Sequence, residues 1–210
     1  MAHLVDGVLS APVLFGSSAV AVAAIGQGLR RIDAERLPYV GLMSAAFFVA
    51  SLVHVPVGPS NVHLILSGLI GIVLGWAAIP AIFVALLLQA IFFGFGGITV
   101  LGVNTLIMSL PAVACSLAFA GPLRRGRSPV VLGAAAGTLG VAGVALSVAA
   151  ALALSGAAFV PAAKLVFVAH LPVMAAEAVM TGMVVGFLQR VKPEVLALPL
   201  RLSEGQPGHA

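Results

Sequence analysis

The chain has 210 residues, 61% of them hydrophobic and only 8% charged, with a formal net charge of +4. Soluble domains carry about 25% charged residues, so this composition excludes an ordinary soluble domain and places most of the chain in a bilayer. The ten basic residues sit in short clusters between apolar runs, the charge pattern of a membrane protein and not of a nucleic-acid-binding face.

The first ten residues read MAHLVDGVLS, with no Lys or Arg before Arg30. A secretory signal begins with a basic segment, so this tip is not read as a leader, and its His3 and Asp6 become candidates for function. Apolar runs then predict spans near 11–29, 37–56, 62–75, 78–94, 102–120, 130–155 and 165–189. The third and fourth are short for a crossing, which needs about 20 residues. They are either two short crossings or one long helix broken at Gly75.

Charge separates the two. With seven spans, Arg30, Arg31, Arg36, Arg124, Arg125, Arg127, Arg190, Lys192 and Arg201 share one side and only Lys164 lies on the other. Fusing spans three and four would split the clusters. The expected fold is therefore an all-α, polytopic membrane helix bundle of about seven transmembrane helices. Its basic side is cytoplasmic and its N-terminus outside. One domain, 1–195, is expected, with a short cytoplasmic tail over 196–210. Cys115 lies inside an apolar run and reads as a small buried residue.

Small residues recur at helical spacing. Ala19-x-x-x-Ala23 in span one and Gly133-x-x-x-Gly137 in span six allow close helix approach, and both faces are candidate docking surfaces for a subunit. Polar groups at membrane depth are costly and mark function by default. They fall in four regions: the tip, the stretch LVHVPVGPSNVHL with His54, Asn61 and His63, the stretch FGFGGITVLGVNTL with Thr99 and Asn104, and AHLPVMAAEAVMTG with His170 and Glu177. The first three lie at the outer side in the seven-span topology. Irregular backbone at that depth must be buried or line a cavity, so one outward cavity lined by the tip and the two breaks is expected. His170 and Glu177 lie about two helical turns apart on one face, where they pair with each other or a neighbouring helix, or Glu177 serves a subunit contact.

The tip has chelating chemistry. If Met1 is removed, as the small Ala2 permits, the Ala2 amine, the deprotonated His3 amide and His3 Nδ1 form fused chelate rings in one plane. His63 is the best-placed imidazole for the open fourth corner. Such a nitrogen set suits Ni(II), Cu(II) and low-spin Co(II), not oxygen-seeking Mg(II) or Ca(II). If Met1 stays, its amine, two amides and the His3 imidazole fill all four corners and His63 is left over.

The tip, the NVHL segment, GFGGITVLGVNTL and HLPVM…E…TG together resemble the CbiM/NikM family, substrate-binding components of cobalt and nickel energy-coupling-factor transporters. The resemblance implies an N-terminal strand inserted into the bundle and metal held by the terminal amine, the following histidine and a distant histidine. Here these are Ala2, His3 and His63. The usual family start is Met-His with the methionine kept, so the inserted Ala2 fits only if Met1 is excised. Asp6, His54, Asn61 and Asn104 would support the cavity without ligating. The implied partners are a transmembrane coupling protein, a pair of ATPases and a small accessory membrane subunit. The metal is cargo and no cofactor is expected. The implied location is a prokaryotic inner membrane, and the chain itself is no enzyme, having no nucleotide-binding motif. Two rivals are a proton-coupled permease acting alone through His170 and Glu177, and an intramembrane hydrolase using Ser60 or Ser67 with His63.

Overall fold

A computed structural model describes residues 4–57 and 60–197. Among these the chain forms α1 (Ala11–Leu29), α2 (Leu37–Ala50), β1 (His54–Val57), β2 (Ser60–His63), α3 (Ser67–Leu74), α4 (Ala78–Phe93), α5 (Leu101–Arg124), α6 (Pro129–Ser155), α7 (Val160–Ala169), α8 (Leu171–Val191) and α9 (Pro193–Ala197). Five helical runs are long and apolar enough to cross a membrane, and α2 is a shorter apolar helix. The architecture is a polytopic membrane helix bundle.

The run 67–93 contains the expected break. Gly75 adopts φ 59° and ψ −127°, and a single 3-10 turn, Gly75–Ala77, joins α3 to α4. Ser67 contacts the carbonyl of Met108 and Gly71 abuts Ala112, so α3 runs in the same direction as α5. The short 94–100 loop returns α4 into α5, which makes those two antiparallel neighbours. Hence α3 and α4 run in opposite directions, as two passes. With α7 and α8 as one pass bent at His170, the chain passes through the bundle seven times.

The span boundaries differ in instructive places. The second span ends at Ala50, not near residue 56, because Pro56 starves a helix of its donor and the 54–63 segment pairs with itself. It forms an antiparallel hairpin in the register His54↔His63, Val55↔Val62, Pro56↔Asn61, Val57↔Ser60. Eight residues of α3 cover only about 12 Å; the hairpin delivers the chain to α3 already inside the bundle. α9 seats Val195 and Leu196 in the interior. The rest of the expected tail lies outside the described residues.

Glycines set the closest helix approaches. A Cβ on Gly133 would sit 2.9 Å from the Thr181 carbonyl, one on Gly137 would strike the Glu177 carbonyl, and one on Gly140 would lie 2.6 Å from the Gly68 nitrogen. The Gly133/Gly137 face therefore packs α6 against α8 within the chain, and the expectation that it docks a subunit is corrected. Ala19 and Ala23 differ: both are exposed on α1.

The basic clusters gather at one end. Gly28, near Arg30 and Arg31, packs beside Trp76 and Pro80 at the α3–α4 turn. Arg124 lines the same shallow pocket as Gln189 and Glu194. The tip and the 94–100 loop occupy the opposite end.

Candidate metal centre

Leu4 enters the bundle, and one side chain holds it there. Leu4 is 6% exposed. Its N–H donates to Asn104 Oδ1 at 3.0 Å, and Asn104 Nδ2 donates to the Leu4 carbonyl at 3.0 Å. An amide side chain carries one acceptor and two donors, so Asn104 imitates a neighbouring strand and satisfies both main-chain groups of one residue. One turn further along α5, the Ser67 hydroxyl donates to the Met108 carbonyl at 3.0 Å. Leu4 and the first residue of α3 are thus fastened within about one helical turn, ~6 Å, of each other on α5.

Asp6 is a second anchor. Its N–H donates to the Gly96 carbonyl at 3.3 Å, and its carboxylate accepts from the Thr99 hydroxyl. The carboxylate lies against the Cα of Gly97, whose φ of +134° and lack of Cβ are both needed for that approach. The tip and the Gly-rich break meet as the sequence implied, through Asp6, Thr99 and Asn104.

His63, at the end of β2, is 2% exposed. Its Nδ1–H donates to the Leu64 carbonyl at 2.8 Å, which leaves the lone pair on Nε2, the arrangement that suits a metal-ligating imidazole. Ala2 and His3 lie outside the described residues. Among the described residues no three His, Cys, Asp or Glu side chains gather as a metal site. Leu4, the first described residue, is buried beside Asn104. His54 and Asn61 occupy hairpin positions opposite His63 and Pro56.

Glu177 is placed differently from the expected subunit contact. It is 0% exposed, and its Oε1 accepts N–H bonds from Ile65 at 2.6 Å and Leu66 at 2.7 Å. That position is corrected for a physical reason: a lone carboxyl in an apolar helix is satisfied only by donors inside the bundle. His170 is also buried, and its Nδ1–H donates to the Val166 carbonyl at 2.7 Å. The Ser67 hydroxyl proton is given to Met108 and the His63 Nδ1–H to Leu64, so the Ser67–His63 pair of the hydrolase reading is not assembled; the Ser60 side chain lies outside the described residues.

These features define a class, a multi-pass membrane helix bundle in which Leu4 is buried against α5 and a histidine, His63, is buried at the end of a hairpin. Residues 3–195 match the CbiM family, described as the cobalt uptake substrate-specific transmembrane region. A relative from Haemophilus influenzae, named only for metal transport, is 43% identical over 92% of this chain and 96% of its own. The cobalt transport protein CbiM of Sorangium cellulosum is 33% identical over 92% of this chain and 94% of its own. A crystal structure of a transition metal transporter superposes with a TM-score of 0.79 at 28% identity, covering 97% of this chain and all of the other. The chain belongs to the CbiM family of metal-uptake membrane components.

Asn104→Ala tests the tip anchor. It strips both main-chain groups of Leu4 of their partner, at about 1–3 kcal/mol for each buried group left unsatisfied. The expected outcome is an N-terminus open to limited proteolysis and Ni(II) affinity lowered about 10–100-fold, the usual loss when a ligand's support is removed.

Proposed function

We propose that the chain is the substrate-binding component of an energy-coupling-factor transporter that takes up Co(II) or Ni(II). The observation that carries this reading is the double hydrogen bond of Asn104 to Leu4. It holds Leu4 in the interior, one helical turn of α5 from the Met108 carbonyl that accepts from Ser67 after the hairpin, which supports this reading. The ion is held in one plane by the Ala2 amine, the His3 amide and Nδ1, and His63 Nε2. Asn104 and the Asp6–Thr99 contact hold the strand that supplies three of the four nitrogens. Four nitrogens in a plane favour Ni(II) and Co(II) over hard cations.

The basic end of the bundle is the cytoplasmic one by the positive-inside rule, which puts the tip outside a prokaryotic inner membrane. ATP is hydrolysed by a separate pair of ATPases and coupled through a transmembrane partner, with a small accessory membrane subunit. With cobalt as cargo the protein supplies cobalamin biosynthesis. The exposed Ala19/Ala23 face of α1 is the docking surface that remains after Gly133 and Gly137 are taken up by α8. Ala19→Leu with Ala23→Leu is expected to reduce co-purification with the coupling subunit, and unchanged complex yield would remove that assignment.

The experiment for the site is calorimetry with Ni(II) and Co(II) on protein whose start is checked by intact mass. Protein starting at Ala2 is expected to bind, and acetylation of its amine to eliminate binding. Acid is expected to release the ion as the amine and imidazoles take up protons. A retained Met1 would overturn this ligand set. Uptake by the chain alone in proteoliposomes under a pH gradient would favour the proton-coupled permease.

A further inference from the structure

The turn between β2 and α3 is held in an uncommon conformation by one distant side chain. Leu66 has φ 54° and ψ 12°, a left-handed position that is strained for a residue with a Cβ. The N–H groups of Ile65 and Leu66 precede α3 and have no acceptor within it. Both donate instead to Glu177 Oε1, which reaches across from α8. It can reach because Gly137 lets α6 touch the Glu177 backbone and Gly140 lets α6 touch Gly68.

The Ile65 N–H and the Leu64 C=O belong to one peptide unit. That unit is planar, and its N–H and C=O point in opposite directions. One edge of this plane is bonded to Glu177. The other edge accepts the Nδ1–H of His63 at 2.8 Å. Orienting the plane from one side therefore orients the imidazole on the other.

We propose that Glu177 is a positioning residue for the metal site, acting through the Leu64–Ile65 peptide to fix the ring of His63 so that Nε2 points at the ion. This rests on His63 being a ligand. The carboxyl touches no metal; it does at one remove what a carboxylate bonded directly to a ligating histidine does elsewhere.

The test compares Glu177→Ala with Glu177→Gln, which keeps an acceptor oxygen at the same reach, and Glu177→Asp, which is one methylene short. Ni(II) affinity is expected to fall about 10–100-fold in Glu177→Ala and to stay near the unsubstituted value in Glu177→Gln. The visible ligand-field band of bound Ni(II) is expected to shift in Glu177→Ala only. In metal-free protein, hydrogen exchange over 63–67 should speed up in Glu177→Ala and not in Glu177→Gln. Adding Leu66→Gly, which relieves the left-handed strain, should restore part of the lost affinity.

Unchanged affinity and exchange in Glu177→Ala would overturn the proposal. So would a Glu177→Gln as damaged as Glu177→Ala. Where Glu177→Ala does not accumulate as folded protein, weakened binding in Glu177→Asp beside intact binding in Glu177→Gln supports the proposal, and equal binding overturns it. His63→Ala in parallel separates the failures: full binding there removes the ligand assignment itself, while abolished binding there with intact Glu177→Ala removes only the positioning role.

Discussion

His63→Ala is expected to abolish calorimetric binding of Ni(II) and Co(II), while His54→Ala only weakens it. The two histidines are Cα partners across one hairpin, so composition and neighbourhood do not separate them. Their places in the chain do. His63 is the last residue of β2, next to the peptide that accepts its Nδ1–H, and that bond fixes the tautomer that carries the lone pair on Nε2. In the proposed four-nitrogen set, removing it would leave one corner open. The loss should exceed the about 10–100-fold seen when a supporting group is deleted. His54 starts β1 and enters this account through the hairpin's main-chain pairing. Full binding by His63→Ala would refute the site.

Gly71→Val is expected to have the largest effect on stability. A Cβ at Gly71 would fall on the carbonyl of Ala112. That obstacle is helix backbone, which cannot swing aside as a side chain does. Every residue of α3 is buried, so the helix has no free side to retreat toward. Forcing a methyl into packed interior costs about 1–3 kcal/mol; the branched side chain of valine adds to this. Gly16→Ala in α1 is the matched control, because its Cβ would meet nothing within 4 Å. Alanine there gains up to about 1 kcal/mol of helix propensity. Thermal unfolding of the detergent-solubilised protein, followed by size-exclusion recovery, measures both. Equal midpoints for the two variants would show that the α3–α5 contact does not limit stability.

Much of the bundle is legible along the chain because crossing a bilayer is a local demand. Each pass must be apolar over its own length, and the Arg and Lys clusters mark alternate ends. The polar exceptions Asp6, Asn104, His63 and Glu177 stand out against that background for the same reason. The hairpin was less visible. Its signs are Gly58-Pro59 between two Val-rich stretches, a turn signal flanked by strand formers, but its two ends fall inside the apolar spans 37–56 and 62–75. Thr99 was noted as polar, and only its contact with Asp6 gives it a task.

By itself, the sequence determined residence in the membrane and a succession of apolar passes with the basic clusters, Lys164 apart, on one side. Each follows from local composition or covalent neighbours. Only the tertiary structure decided what the polar groups do. Asn104 meets Leu4 across 100 positions, and Glu177 meets Leu66 across 111. Gly133 and Gly137, which present a generic small-residue face in the sequence, prove to be where α8 comes close. In an apolar interior a polar group must find a partner wherever the fold brings one, and hydrogen-bond partners so far apart leave no mark in local periodicity.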